Sequence, residues 1–226
     1  VIREKKSPDE FSVKYIDERI LQTPAIALAQ LIKEMSYMLE VAQRALDKAM
    51  DNFINRTEDE EPVRKDLREI NFLSGKVTDY LIRLSEEDMS HNDELTVSSL
   101  YKVLSDIMRV ADFSNNIMRY LRVAVANELY FSSEGLNEIK EMYSLVDELF
   151  KDVDYTFANR TTRLLAKIED TESKTDKFKL QLQQNHLDRL KGGNCKSESS
   201  SLYVNLIGNI ERVADHLVYI AQSVKE

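Results

Sequence analysis

The chain has 226 residues and a formal net charge of −9, with 42% hydrophobic and 31% charged residues but only five glycines and three prolines. That length allows one large domain or two small ones with a real core, and the scarcity of glycine and proline favours long helices over turn-rich folds. The acidic balance argues against nucleic acid as a partner, and the single Cys195 excludes an internal disulfide or a thiolate metal site and suits a reducing, cytoplasmic setting.

In chain order, a polar lead-in (residues 1–22) precedes Thr23, a candidate N-cap, with Pro24 at the first helical position. Leu31, Met35, Met38, Val41, Ala42, Ala45 and Met50 then recur at helical spacing, predicting a helix to about Phe53. The methionines read as core filler. RTEDEEP interrupts it, and a second helix is predicted from Glu61 to Leu84, with Ile70, Leu73, Val77 and Leu81 inward. Ser90 or Asn92 can cap a third, covering about Asp93 to Leu129, and His91 reads as an exposed loop residue. Ser133 is the candidate cap of a fourth, carried by Ile139, Met142, Leu145, Leu149 and Val153. A fifth is predicted from about Ala158 to Leu190, where Gly192 and Gly193 can supply a left-handed C-cap. SESSS (197–201) reads as a loop and cap before a sixth helix, from about Ser199 to the end. The fold class is all-α.

An internal repeat organises these helices. IMRVADFSNNI (107–117) aligns with IERVADHLVYI (210–220), so Ile107, Arg109, Val110, Ala111, Asp112 and Ile117 recur as Ile210, Arg212, Val213, Ala214, Asp215 and Ile220. The expected architecture is two tandem three-helix bundles, residues 23–131 and 132–226, with short loops making neighbours antiparallel.

The second copy carries the polar residues that need explaining. Glu211 and Asp215 lie one turn apart, on the face expected to hold Val204, Ile207, Ala214 and Val218. Glu172 and Asp176 repeat the i, i+4 arrangement on the preceding helix, so four carboxylates can face one another, which requires compensating cations, arginines or water. One reading is a salt-bridge lattice with Arg212, Arg189, Lys174 and Lys179. The other is a hard-ligand metal site suited to Fe, Mn, Mg or Ca. Neither His186 nor His216 follows a Glu by three residues, which argues against ferritin-like di-iron chemistry. His186 reads as a capping or surface residue and Cys195 as a bystander thiol. With no Gly-rich phosphate loop, nucleophile elbow or triad pattern, no enzymatic role is expected.

ERVADH, ESKTD, NHLDRL and the tandem repeat resemble the PhoU family, a group of all-α proteins linked to phosphate uptake and its regulation. The opening KYIDERILQTPAIALAQLIKE is similar to the junction before the C-terminal PhoU-like domain of bacterial sodium/phosphate cotransporter family proteins. The resemblance implies a metal cluster (Fe, Mn, Zn, Mg or Ca) held by E/DxxxD motifs, here Glu172, Asp176, Glu211 and Asp215. The first unit has lost the pattern. Met108 stands for Glu211 and Phe113 for His216, Leu67 and Asn71 fill the upstream positions, and only Asp112 remains, with Asp66 or Glu69 as candidate helpers. A regulatory domain on the cytoplasmic side of the bacterial inner membrane is implied, partnered by a transmembrane sodium/phosphate transport region. With a start at Val1 and no run near the ~18 apolar residues of a spanning helix, that region is expected to lie outside this sequence. A free-standing PhoU-type regulator of a phosphate ABC importer or histidine kinase, and a carboxylate-bound metal-binding protein, are the alternatives. Self-association is left open. A phosphate site could use Arg189, Arg212 or a bound metal, although the negative net charge disfavours one on the bare protein.

Overall fold

The computed structural model describes residues 11–193 and 197–225. Six α-helices account for most of them: α1 Pro24–Asn55, α2 Glu61–Leu84, α3 His91–Ala126, α4 Ser133–Ala158, α5 Leu165–Lys191 and α6 Ser200–Gln222. Short 3₁₀ turns cover Glu18–Ile20, Ser197–Ser199 and Ser223–Lys225. No strand occurs among the described residues. Cys195 lies outside them.

Helix boundaries follow local chemistry. Pro24 opens α1 as expected, and the Thr23 carbonyl accepts the Ile26 and Ala27 N–H groups (both 3.0 Å), but the Thr23 side chain makes no capping bond. Ser90 caps α3 by accepting the Asp93 N–H, which makes His91 the first helical residue, although it is exposed as expected. The cap of α4 is Ser132, one residue earlier than the sequence suggests, accepting the Gly135 N–H at 3.1 Å. Ser199 occupies the N-cap position of α6 without a capping side-chain bond.

With so little glycine, three helices close through other residues in the left-handed region: Arg56 (φ 55°), Glu128 (φ 52°) and Arg160 (φ 46°). Behind them, Thr57, Leu129 and Thr161 donate to the carbonyls of Asn52, Ala124 and Thr156, at 2.9, 2.8 and 3.1 Å, which completes the same six-residue closure at each end. A left-handed non-glycine residue costs roughly 1–2 kcal/mol. At Arg56 part of that is offset, because its guanidinium donates to the Leu129 carbonyl at 2.5 Å and ties the end of α1 to the end of α3. Arg160 also corrects the predicted start of α5. The chain turns after Ala158 and resumes helix only at Leu165. Gly193 (φ 72°) takes the left-handed position after α5, whereas Gly192 stays right-handed.

α1 packs on α2 and α3, and α6 packs on α4 and α5, giving two three-helix groups. They do not stand apart, because α3 packs on α6 and α1 touches α4. The buried apolar residues of all six helices form one continuous cluster, with Met35, Met38 and Met50 inside it. Polar bonds pin the seam: Asn209 Nδ2 donates to the Tyr120 hydroxyl (2.7 Å), Tyr143 donates to Asp47 (2.6 Å), and Ser36 bonds Asp154.

Candidate functional site: a carboxylate cluster and the groove beside it

α5 buries an unusual face. Between Ile168 and Leu182 its fully buried positions are threonines, Thr171 and Thr175, whose hydroxyls donate to the carbonyls of Lys167 and Thr171 (both 3.0 Å). Without long apolar side chains at those positions, α5 brings Glu172 and Asp176 against α6. There, one oxygen of each and one of Asp215 all lie within 4.8 Å of one another. All three residues are half-buried, and Asp176 Oδ1 is buried with no hydrogen-bond partner.

Glu211 is set apart from this trio by Lys179, whose ammonium meets it at 2.8 Å, with both side chains largely shielded. The structure therefore brings three of the four candidate carboxylates together. The lattice reading accounts for Glu211 alone. Lys174 pairs with Asp170 (2.7 Å), Arg189 with Glu138 (2.7 Å), and Arg212 makes no ion pair or hydrogen bond among the described residues. The face expected for Glu211 and Asp215 is buried at Ile207, Ala214 and Val218, but Val204 is exposed, because it lies past the edge of the stripe that packs on α4 and α5.

The charge state follows from the crowding. Burial pushes the Asp215 carboxyl above its ordinary value, and the neighbouring carboxylates of Glu211 and Asp176 push it further. Burial raises Glu172 as well, reinforced by Asp176, Asp215 and Glu211. Converging, under-compensated carboxylates with an orphaned buried oxygen fit a divalent cation with a preference for oxygen ligands. No imidazole joins them. His216 Nδ1 faces Asp106 of α3 at 2.8 Å instead.

The first unit lacks the arrangement. Asp112 is exposed beside Arg109 at 4.0 Å. Its candidate helpers are taken by cations of α1, Asp66 by Arg44 (3.0 Å) and Lys48 (2.6 Å), and Glu69 by Arg44 (2.8 Å). No first-unit group of metal-competent side chains forms among the described residues.

A groove of about 470 Å³ lies beside the cluster, along the α3–α6 seam. It is lined by repeat-equivalent pairs, Arg109 with Arg212 and Asp112 with Asp215, followed by Phe113 with His216 and Asn116 with Tyr219. Asp215 thus belongs both to the carboxylate cluster and to the groove.

Two polar centres had no signal in the sequence. Glu34, completely buried on α1, accepts the consecutive backbone N–H groups of Lys14 (2.9 Å), Tyr15 (2.5 Å) and Ile16 (3.2 Å). Glu138 is gripped by both Arg189 amino groups (2.9 and 2.7 Å), the Tyr203 hydroxyl (2.6 Å) and Asn185 (2.8 Å). His186, expected at the surface, is buried here. It stacks on Tyr203 at 4.7 Å and meets Ser200 at 2.8 Å, because α6 folds back over that end of α5.

Against known proteins, the profile of the PhoU domain matches the chain twice, over residues 35–121 and 139–224. The chain is 24% identical to "Putative inorganic phosphate export protein YjbB" of Escherichia coli strain K12, a match covering all of this chain and 42% of the relative. The Salmonella typhimurium LT2 protein of the same description is 22% identical with the same coverage. The chain therefore spans well under half the length of these relatives. "Phosphate-specific transport system accessory protein PhoU homolog 1" of Thermotoga maritima is 24% identical over 87% of this chain and 85% of that protein.

Proposed function

The chain belongs to the PhoU domain family, and from that membership we propose that it is the cytoplasmic regulatory domain of a sodium-dependent phosphate cotransporter. The family and its relatives support a role in phosphate homeostasis. The observation that carries the finer reading is coverage. The whole chain aligns with only 42% of relatives described as phosphate export proteins, leaving the larger part of those proteins to other work. Among the described residues no helix is long and apolar enough to cross a membrane, so the ion path is assigned to a transmembrane partner region rather than to these helices.

In this reading the second unit is the responsive part. Glu172, Asp176 and Asp215 would hold a divalent cation, whose charge would relieve their mutual repulsion. Lys179 keeps Glu211 neutralised at the edge of the site. Because Glu172 and Asp176 come from α5 and Asp215 from α6, occupancy would tighten the α5–α6 contact, the link through which a signal could reach the seam.

The test is phosphate flux in cells producing the intact protein, with and without sodium, compared with a form lacking residues 23–226. Sodium-dependent flux that persists in the truncated protein but no longer adjusts to external phosphate is expected. Adjustment that survives the truncation contradicts the proposal. The Thermotoga relative, matched over most of its length, favours a second reading, a free-standing accessory protein. An intact reading frame without membrane-spanning segments would select that one.

A further inference from the structure

The groove along the α3–α6 seam is built twice over, because equivalent residues of the two repeats line it together. Its cations are Arg109 and Arg212. Among the described residues Arg212 has no ion pair or hydrogen bond, and Arg109 meets only Asp112, at the outer limit of 4.0 Å. Arg189 is not available to such a site, since its guanidinium is engaged by Glu138. Two uncommitted guanidinium groups over a shared groove, with the Asn116 amide on the same wall, form a donor set for a tetrahedral oxyanion.

The opposing charges are Asp112 and Asp215, while Asp106 is engaged by His216. Asp215 is the important one, since it also belongs to the carboxylate cluster. A cation there would cancel its repulsion and leave the arginines dominant. We propose that this groove binds a phosphate group through Arg109 and Arg212, and binds it more tightly when a divalent cation occupies Glu172, Asp176 and Asp215. The groove stands on α3 and α6 alone, and only the coupling rests on the cation reading of the cluster. Linkage makes the coupling reciprocal, so phosphate strengthens cation binding by the same factor.

The experiment uses the full chain. Manganese binding is measured first by calorimetry, which tests the cluster separately. Inorganic phosphate is then titrated with and without saturating manganese, and flotation with vesicles containing phosphatidic acid distinguishes a free anion from a lipid headgroup. Arg109→Gln and Arg212→Gln, both at exposed positions, are each expected to weaken binding about tenfold, the equivalent of one lost charge-assisted bond. Circular dichroism checks that both variants stay folded. Arginine-dependent binding of either probe supports the site and identifies the source of the phosphate group. No binding of either probe, or binding unchanged in both variants, overturns it. Arginine-dependent binding that ignores manganese overturns the coupling.

Discussion

Phe113 and His216 occupy the same position in the two repeats and face each other across the α3–α6 seam, with ring centroids 6.0 Å apart. The first unit offers a buried aromatic ring, while the second offers an imidazole whose Nδ1 reaches Asp106 on α3. One position thus packs in one copy and pairs across the seam in the other. The same division runs through the repeat. Asp112 is an exposed carboxylate beside Arg109, whereas Asp215 belongs to a carboxylate cluster.

The cluster predicts how stability depends on pH. Asp215 and Glu172 have folded-state values raised above their unfolded ones. Their contribution is therefore absent below the unfolded values and becomes destabilising as pH rises through the folded ones. Without metal, Asp215→Asn is expected to equal wild type near pH 4 and to exceed it at pH 7 by about 0.5–1 kcal/mol, after allowance for solvent screening. Thermal unfolding in chelator across that range checks this. A variant less stable at pH 7 than wild type contradicts it.

Glu138 shows the opposite sign. Burial alone would raise its carboxyl, but the hydrogen bonds from Arg189, Tyr203 and Asn185 outweigh that and hold it below the ordinary value. Its stabilisation is present at neutral pH and lost as pH falls through the folded value. Arg189→Ala strands a shielded carboxylate and should cost about 2–3 kcal/mol, toward the low end for a buried pair because some solvent reaches it. Urea unfolding at pH 7 and pH 4 measures both the cost and its decline in acid.

Glu34 holds residues 14–16 against α1. Glu34→Ala removes the acceptor for three successive N–H groups and should release residues 14–16 while the helices persist. Hydrogen exchange at Lys14, Tyr15 and Ile16 is expected to accelerate about tenfold or more, as for a loss of roughly 1.4 kcal/mol. Unchanged protection at all three amides would show that the clamp does not hold this segment.

The helices and their tandem order were readable because apolar spacing over long segments leaves few alternatives, and Pro24 and Ser90 mark two starts through local chemistry alone. The start of α5 was hidden, since Arg160 performs the turn that glycine usually signals. Within the site, Glu172, Asp176 and Asp215 were legible from their one-turn spacing and their place in the repeat. The diversion of Glu211 to Lys179 was not, because it depends on how α5 and α6 are offset along each other. Burial of His186 likewise depends on Tyr203 arriving from another helix. The partners of Glu34 are backbone groups of an irregular segment, which no residue pattern encodes.

We propose that Glu172, Asp176 and Asp215 hold a divalent cation between α5 and α6. Elemental analysis of the protein purified without chelator, followed by equilibrium dialysis against manganese, tests it most directly when wild type is set beside the Glu172→Ala, Asp215→Ala double variant. Stoichiometric metal is expected in the wild type, with loss of it in the variant. No bound metal in the wild type, or equal metal in both proteins, would contradict it.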